Sequence, residues 1–292
     1  MNISRVTERS MSTGILSSLQ RNQNKMDQLR EAISSGKQLT KPSDGPTDTV
    51  SAMQLRTEIA ERGAYSRSAV DGQARLGAAE TALSSTSDLL LRARDLVLQG
   101  KSAQSQDSRE AIAAEIDAIR TSMIGLANTT YLDRPVFGGT TAGGQAFASD
   151  GSYLGDDGQV MRRIANGTQV RVDVPADTFG TGSNQVFKVL ESIAGNMRSN
   201  PAGLSADLDR LDSGIKTVNT AVTGIGTRYG QLSAADDAGQ AQVVTLSARL
   251  SQIEDVDVAA AVVELQTQTV AYEASLAATA RIVQPSLLDF LR

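Results

Sequence analysis

Residues 204–232 read LSADLDRLDSGIKTVNTAVTGIGTRYGQL. Leu204, Leu208, Leu211, Ile215, Val218, Val222, Ile225, Tyr229 and Leu232 step along this stretch by four and three without a miss. Such steps are the repeat of a helix laid along other helices, not of a strand. The frame resumes at Val243, Leu246, Leu250 and Ile253, after Asp236 and Gly239 occupy two of its slots. It breaks at Asp255-Val256-Asp257, and a new frame runs through Val258, Val262, Leu265, Thr269, Tyr272, Leu276, Thr279 and Val283. Asp255 or Asp257 can cap the restarted helix by accepting from its free backbone N–H groups. Pro285 then limits the regular helix and leaves an apolar tail with Leu287, Leu288 and Phe290.

The other end mirrors this pattern. Ile15, Leu19, Asn22, Met26, Leu29 and Ile33 form an alternating series with one Asn in the seam, a residue that costs stability and can fix register. The series stops at Ser34-Ser35-Gly36-Lys37, where Gly36 suits a helix C-cap. Lys41-Pro42-Ser43-Asp44-Gly45-Pro46 is a turn. A long helix follows from about Thr47, with Leu76, Ala79, Leu83, Leu90, Ala93 and Val97 on one face, ending at Gly100. Ile112, Ile116, Ile119, Met123 and Leu126 mark an antiparallel return.

Ten of the 25 glycines fall between Gly138 and Gly182, and within that stretch Gln169–Val174 alternates as a strand does. The expected fold is therefore mainly α. A long antiparallel helical bundle or coiled coil is built from both chain ends, with a small Gly-rich β insert in the middle. The expected divisions are 1–40 (N-terminal assembly helix), 41–137 (first half of the bundle), 138–182 (outer β domain), 183–254 (second half of the bundle) and 255–292 (C-terminal assembly helix).

Composition excludes much chemistry. The 292 residues contain no Cys, His or Trp, so disulfides, thiolate zinc sites, Cys nucleophiles and Ser-His-Asp catalysis are absent. With 28 basic against 33 acidic residues, scattered along the chain, there is no electrostatic footprint for nucleic acid or anionic membrane. The apolar run Val258–Val263 is too short to span a bilayer, and Arg5, Glu8 and Arg9 rule out a secretory signal core. On these grounds alone the chain reads as cytosolic.

Candidate sites are thin. Gly100-Lys101-Ser102 lacks the first glycine of a phosphate loop, having Asp95 there, and follows a helix. Gly224, Gly226 and Gly230 miss the dinucleotide spacing inside a heptad run. Asp150, Asp156 and Asp157 could offer oxygens to calcium but lack the ligand order of a calcium-binding loop, so a solvated turn is the preferred reading. Asp236-Asp237 and Asp255/Asp257 have no partner base; capping and seam-breaking account for them. No catalytic residue, metal ligand or cofactor site is assigned.

The seams carry more information. One stripe of five apolar residues between Ile15 and Ile33 cannot offset the entropy of ordering that whole arm. Pairing the two terminal arms still buries only one stripe apiece. The candidate assembly interface is therefore Ile15, Leu19, Asn22, Met26, Leu29 and Ile33 with Val262, Leu265, Tyr272, Leu276, Val283, Leu287, Leu288 and Phe290. A chain with unsatisfied seams at both ends is built to polymerise or dock.

Ser34-Ser35-Gly36-Lys37, Lys41-Pro42-Ser43-Asp44 and the helix with Leu55-Arg56 resemble the N-terminal signature of the bacterial flagellin superfamily. Ser251-Gln252-Ile253-Glu254-Asp255-Val256-Asp257 and the run through Leu265, Gln268 and Leu276 to Ser286–Leu291 resemble its C-terminal motif. The likeness covers about residues 1–138 and 200–292. Lys41–Pro46, the aromatic-glycine exit Asp133–Gly139 and the Leu-Leu-Asp-Phe-Leu ending are similar to the superfamily's hook–filament junction branch; Gly45 departs from its usual acidic residue.

That resemblance implies terminal helices that are disordered in the free subunit and pair on assembly to line the inner tube. It implies a helical bundle as the next layer and an insert facing outward. It further implies export through the flagellar type III apparatus without a cleaved signal peptide, which replaces the cytosolic reading with an extracellular one. The implied partners are further copies of the chain, flagellin, the other hook-associated junction protein and an export chaperone. The implied role is an adaptor between hook and filament, with no reaction. Flagellin itself is the alternative, and a ligand- or metal-binding protein using 138–182 a distant one.

Overall fold

Heptad patterning becomes two long helices, α2 (Pro46–Ser102) and α5 (Leu204–Glu254). The computed structural model describes the backbone of residues 3–283 and the side chains of 13–280. The chain forms two units, one from residues 61–243 and one from 1–60 with 244–292.

In the first unit α2 carries a fully buried row at seven-residue intervals, Ala69, Leu76, Leu83, Leu90 and Val97. On α5 the matching row is Leu204, Leu211, Val218, Ile225 and Leu232, all in the same core. Beside its large row α2 buries a small one, Gly72, Ala79, Thr86, Ala93 and Gly100, which lets neighbouring backbone and side chains come close. A polar ladder sets the register. Ser87 Oγ lies 2.9 Å from Asn219 Oδ1, Arg94 Nε 2.7 Å from Asp212 Oδ1, and Lys101 Nζ 3.0 Å from Ser205 Oγ. Each step of seven forward on α2 is a step of seven back on α5, so the helices run antiparallel. Further along, Ser66 donates to Asp236, which explains an acidic residue in a seam slot.

The nine-slot seam read from the sequence is only half enclosed. Leu208, Ile215 and Val222 are partly buried, and Tyr229 is 41% exposed. The packing closes on one heptad row of α5 and leaves the alternate row at its edge.

α3 (Gln106–Ala127) starts at Ser105, whose hydroxyl accepts from the Ser108 amide. It packs on α4 (Val186–Ser199), bringing Ile116, Ile119 and Met123 into one core with Phe187, Leu190, Ile193 and Met197. The α4–α5 turn is locked by Asp207, buried in the first turn of α5, which accepts from Ser192 Oγ at 3.0 Å, Asn196 Nδ2 at 2.7 Å and the Arg210 guanidinium.

The insert is the small β region expected, with its alternating stretch forming a strand as far as Arg171. It holds one hairpin, β3 (Met161–Ala165) with β4 (Thr168–Arg171); a shorter one, β1 (Thr130–Tyr131) with β2 (Arg134–Pro135), precedes it. Its centre is an aromatic knot. Phe137, Phe147, Phe179 and Phe187 are fully buried, with ring centroids 5.0–5.4 Å apart in mostly edge-to-face contacts. The chain's few aromatic rings are thus concentrated where there is too little regular structure to build a core from aliphatic stripes.

In the second unit α1 (Ile3–Ser35) packs against α6 (Val258–Val283), joined by the start of α2 and the end of α5.

Candidate assembly interface

α1 ends because Gly36 adopts φ +71°, a left-handed conformation that an L side chain rarely takes. The chain leaving it runs beside the break between α5 and α6. The Gln38 amide donates to the Glu254 carbonyl at 2.7 Å, and Gln38 Nε2 donates to the Ile253 carbonyl at 2.8 Å. The Val256 amide donates back to the Gly36 carbonyl at 3.0 Å. A helix C-terminus leaves its last carbonyls without intrahelical donors, and here the α1–α2 loop supplies them.

Glu254 closes the contact. An acidic side chain at the C-terminal end of a helix meets the negative pole of the helix dipole, so it needs cations. Lys37 Nζ lies 2.9 Å from its Oε2 and Arg56 Nη2 2.8 Å from its Oε1. The carboxylate is 4% exposed, whereas both cations are about half exposed. Burial alone would raise the Glu254 pKa. The hydrogen bonds from Lys37 and Arg56, with their positive charges, outweigh it and hold the group below the ordinary carboxylate range. On the loop itself, Asp44 Oδ2 accepts from the Lys41 amide at 2.8 Å and from the amide and hydroxyl of Thr40, which pins the turn. Across the break, Asp257 Oδ1 accepts from the Ala260 amide at 3.0 Å and so caps α6; Asp255 pairs with Ser251 instead.

The candidate interface residues fall in three groups. On α1, Met26 is buried and Ile15, Leu19, Asn22, Leu29 and Ile33 are half-buried, on one face of the helix. On α6, Ala261 is buried and Leu265 and Tyr272 are half-buried together with Gln268 and Thr269, but Val262 and Leu276 are exposed. Small and polar residues supply much of the line covered by α1, and those two apolar positions fall off it. Val283 ends the described backbone, and its side chain, like Leu287, Leu288 and Phe290, lies outside the described residues.

Lys37, Gln38, Arg56 and Glu254 were not singled out for chemistry by residue pattern. For Lys37, Arg56 and Glu254 the only signal is membership of two terminal motifs, which the fold brings into contact; Gln38 carries none. Outward of this contact α6 shows Val258, Val263 and Val270, the last two 63% and 65% exposed. Leu16 on α1, with Val50 and Met53 on α2, is exposed as well.

The other candidates resolve into structural roles. Asp156 Oδ1 accepts from the amides of Thr140 at 2.7 Å and Gly158 at 2.8 Å, and its Oδ2 accepts from the Thr140 hydroxyl at 2.8 Å, so it organises a turn. The Thr140 amide leads the interactions that lower its pKa. Gly100-Lys101-Ser102 is the end of α2, and Gly224, Gly226 and Gly230 lie inside α5. Among the described residues no group of three or more acidic side chains could hold a metal, and no helix is long and apolar enough to cross a membrane.

Comparison with known proteins matches this arrangement from both ends. The family model of the bacterial flagellin N-terminal helical region matches residues 6–139, and that of the C-terminal helical region matches residues 208–291. Flagellar hook-associated protein 3 of Salmonella typhimurium is 22% identical, over 93% of this chain and 94% of its own. The Escherichia coli protein of the same name is 23% identical over 84% and 86%. Flagellin of Bacillus subtilis is 26% identical over 90% and 91%. Among solved structures, a putative flagellar hook-associated protein from Vibrio parahaemolyticus superposes with a TM-score of 0.67 at 22% identity, covering 73% of this chain and all of its own. Bacillus cereus FlgL does so with a TM-score of 0.61 at 22% identity, covering 68% and 99%. With a helical-region model on each end, the two motifs in contact and the same fold among solved relatives, the chain belongs to the bacterial flagellin family.

Proposed function

We propose that this chain is a structural subunit of the bacterial flagellum that joins hook to filament as an adaptor. It works by packing, not by a reaction. The observation that carries the reading is the α1–α6 pair, whose covered face is small and partly polar while Val258, Val262, Val263, Val270 and Leu276 remain exposed on α6. An exposed apolar surface of that kind marks a place where a neighbour docks. Two hook-associated proteins 3 among the relatives, together with the junction-like Lys41–Pro46 turn and Leu287–Leu291 ending, favour the junction role over the filament role, which the flagellin match alone would suggest.

The proposed partners are further copies of the chain, the other hook-associated junction protein on one side and flagellin on the other, with an export chaperone before assembly. The interface is the α1 face from Ile15 to Ile33 with α6 and the tail beyond it. The proposed location is outside the cell, reached without a cleaved signal peptide. Electron microscopy of a strain lacking the gene tests this. Intact hooks without attached filaments, with monomeric flagellin shed to the medium, are expected. A tagged copy found along whole filaments would assign the chain to flagellin instead.

A further inference from the structure

Asn166-Gly167 forms the two-residue connection of the β3–β4 hairpin, between Ala165 and Thr168, which pair with each other. Both residues are exposed. Gly167 has φ +73°, and a Cβ built there would meet nothing within 4 Å. Its amide makes no hydrogen bond among the described residues, and neither does the Asn166 side chain. An asparagine followed by a residue without a side chain, at an exposed tip with a free amide, is set up for attack on itself.

We infer that Asn166 is a site of spontaneous deamidation, with water as the co-reactant. The Gly167 nitrogen, on losing its proton to hydroxide, attacks Asn166 Cγ. A C–N bond forms, the Cγ–Nδ2 bond breaks, and ammonia leaves with a proton from water. The cyclic imide that results is opened by a second water at either carbonyl, giving aspartate or isoaspartate. No oxidation or reduction is involved.

The rest of the chain gives the inference its selectivity. Asn166 is the only asparagine followed by glycine. Asn128 is held at both ends of its amide by Phe147, through its Nδ2 to the carbonyl and its Oδ1 from the backbone amide, each at 2.8 Å. Asn196 donates to buried Asp207, and Asn219 accepts from Ser87. Asn200 precedes Pro201, which has no N–H to lose. The isoaspartate product lengthens the main chain inside a two-residue turn, so the Ala165–Thr168 pairing cannot persist. The fraction converted therefore records the time since synthesis.

The full purified chain, held at mildly alkaline pH in ammonia-free buffer and digested with trypsin at intervals, tests this. Cleavage after Arg163 and Arg171 isolates residues 164–171. That peptide is expected to gain the mass difference between an amide and an acid, to split into two chromatographic forms, and to convert in proportion to hydroxide concentration. Peptides with Asn128, Asn196 and Asn219 are expected to lag, and Asn166→Gln to abolish the change over the same interval. Two results would overturn the inference. One is an unconverted 164–171 segment in the folded chain after the synthetic peptide of the same sequence has converted. The other is an asparagine elsewhere converting first.

Discussion

Removing Glu254 and removing its two cations break the same contact with unequal consequences. Glu254→Gln keeps the shape and leaves no buried charge. Lys37 and Arg56, each about half exposed, recover water, so the loss is the charged part of two hydrogen bonds, about 1–2 kcal/mol after solvent screening. Lys37→Met with Arg56→Met strands a carboxylate that is 4% exposed. Its escape at neutral pH is to bind a proton, which from an ordinary 4.5 to pH 7 costs about 3.4 kcal/mol at about 1.36 kcal/mol per unit. The lost hydrogen bonds come on top of that. Hydrogen exchange at the Gln38 and Val256 amides, which donate across this junction, reads both effects locally. Protection should fall about tenfold in Glu254→Gln and a few thousandfold in the double cation variant, since about 1.4 kcal/mol is a factor of ten. Equal losses, or a larger loss in Glu254→Gln, would refute the account of a buried anion held by exposed cations.

The same contact has a pH window. Because folded Glu254 ionises below its ordinary 4.5, its contribution is complete above that value and is lost as pH falls through the lower folded one. The acid limb of the exchange profile should flatten in Glu254→Gln.

Leu83→Ala, in the fully enclosed row of α2, should cost about 2–5 kcal/mol in urea unfolding, and Tyr229→Ala under about 1 kcal/mol, since the ring is already largely in water. Asp257→Ala removes the α6 cap and should cost about 0.5–2 kcal/mol, read as faster exchange at residues 258–262. Gly139→Ala drives a Cβ into the Asp156 carbonyl oxygen at φ +67°; thermal unfolding should show more than the about 1–2 kcal/mol of a left-handed L residue. Val263→Glu with Val270→Glu should leave the melting of the free chain within the scatter of surface substitutions and abolish its incorporation into flagella, scored by motility and microscopy.

The limits of the sequence reading have physical causes. Periodicity found α5 and its break at Asp255–Asp257 because a buried row must recur every turn or two whatever its partner is. It could not show that only the row from Leu204 to Leu232 would be enclosed, since spacing marks which residues can face a neighbour and not how far that neighbour wraps. The small row of α2 was only partly legible. Gly72, Thr86 and Gly100 carry no apolar signal, and they earn their place by what they lack. The Lys37–Glu254 pair spans 217 residues, a distance that local pattern does not cross; motif resemblance picked out both ends without joining them. In the insert, alternation marked the small β region and its strand near Gln169, but not the four phenylalanines whose ring contacts hold that region without a ladder.

The placement of Val262 and Leu276 turns one of these misses into an argument. Both belong to the α6 frame, yet α1 covers Ala261, Leu265, Thr269 and Tyr272 and leaves them exposed. A helix that only closed its own hairpin would carry polar residues there, as the outer positions of a two-helix pair meet water. α6 instead remains apolar beyond the side its own chain covers. Two apolar sides on one helix fit two partners, α1 within the chain and, under the proposed role, a neighbouring subunit. The Gly36–Val256 and Gln38–Glu254 bonds hold the loop after α1 against the α5–α6 break, and the α1–α6 pairing beside them leaves Val262, Val263, Val270 and Leu276 open to the neighbour that the proposed role requires.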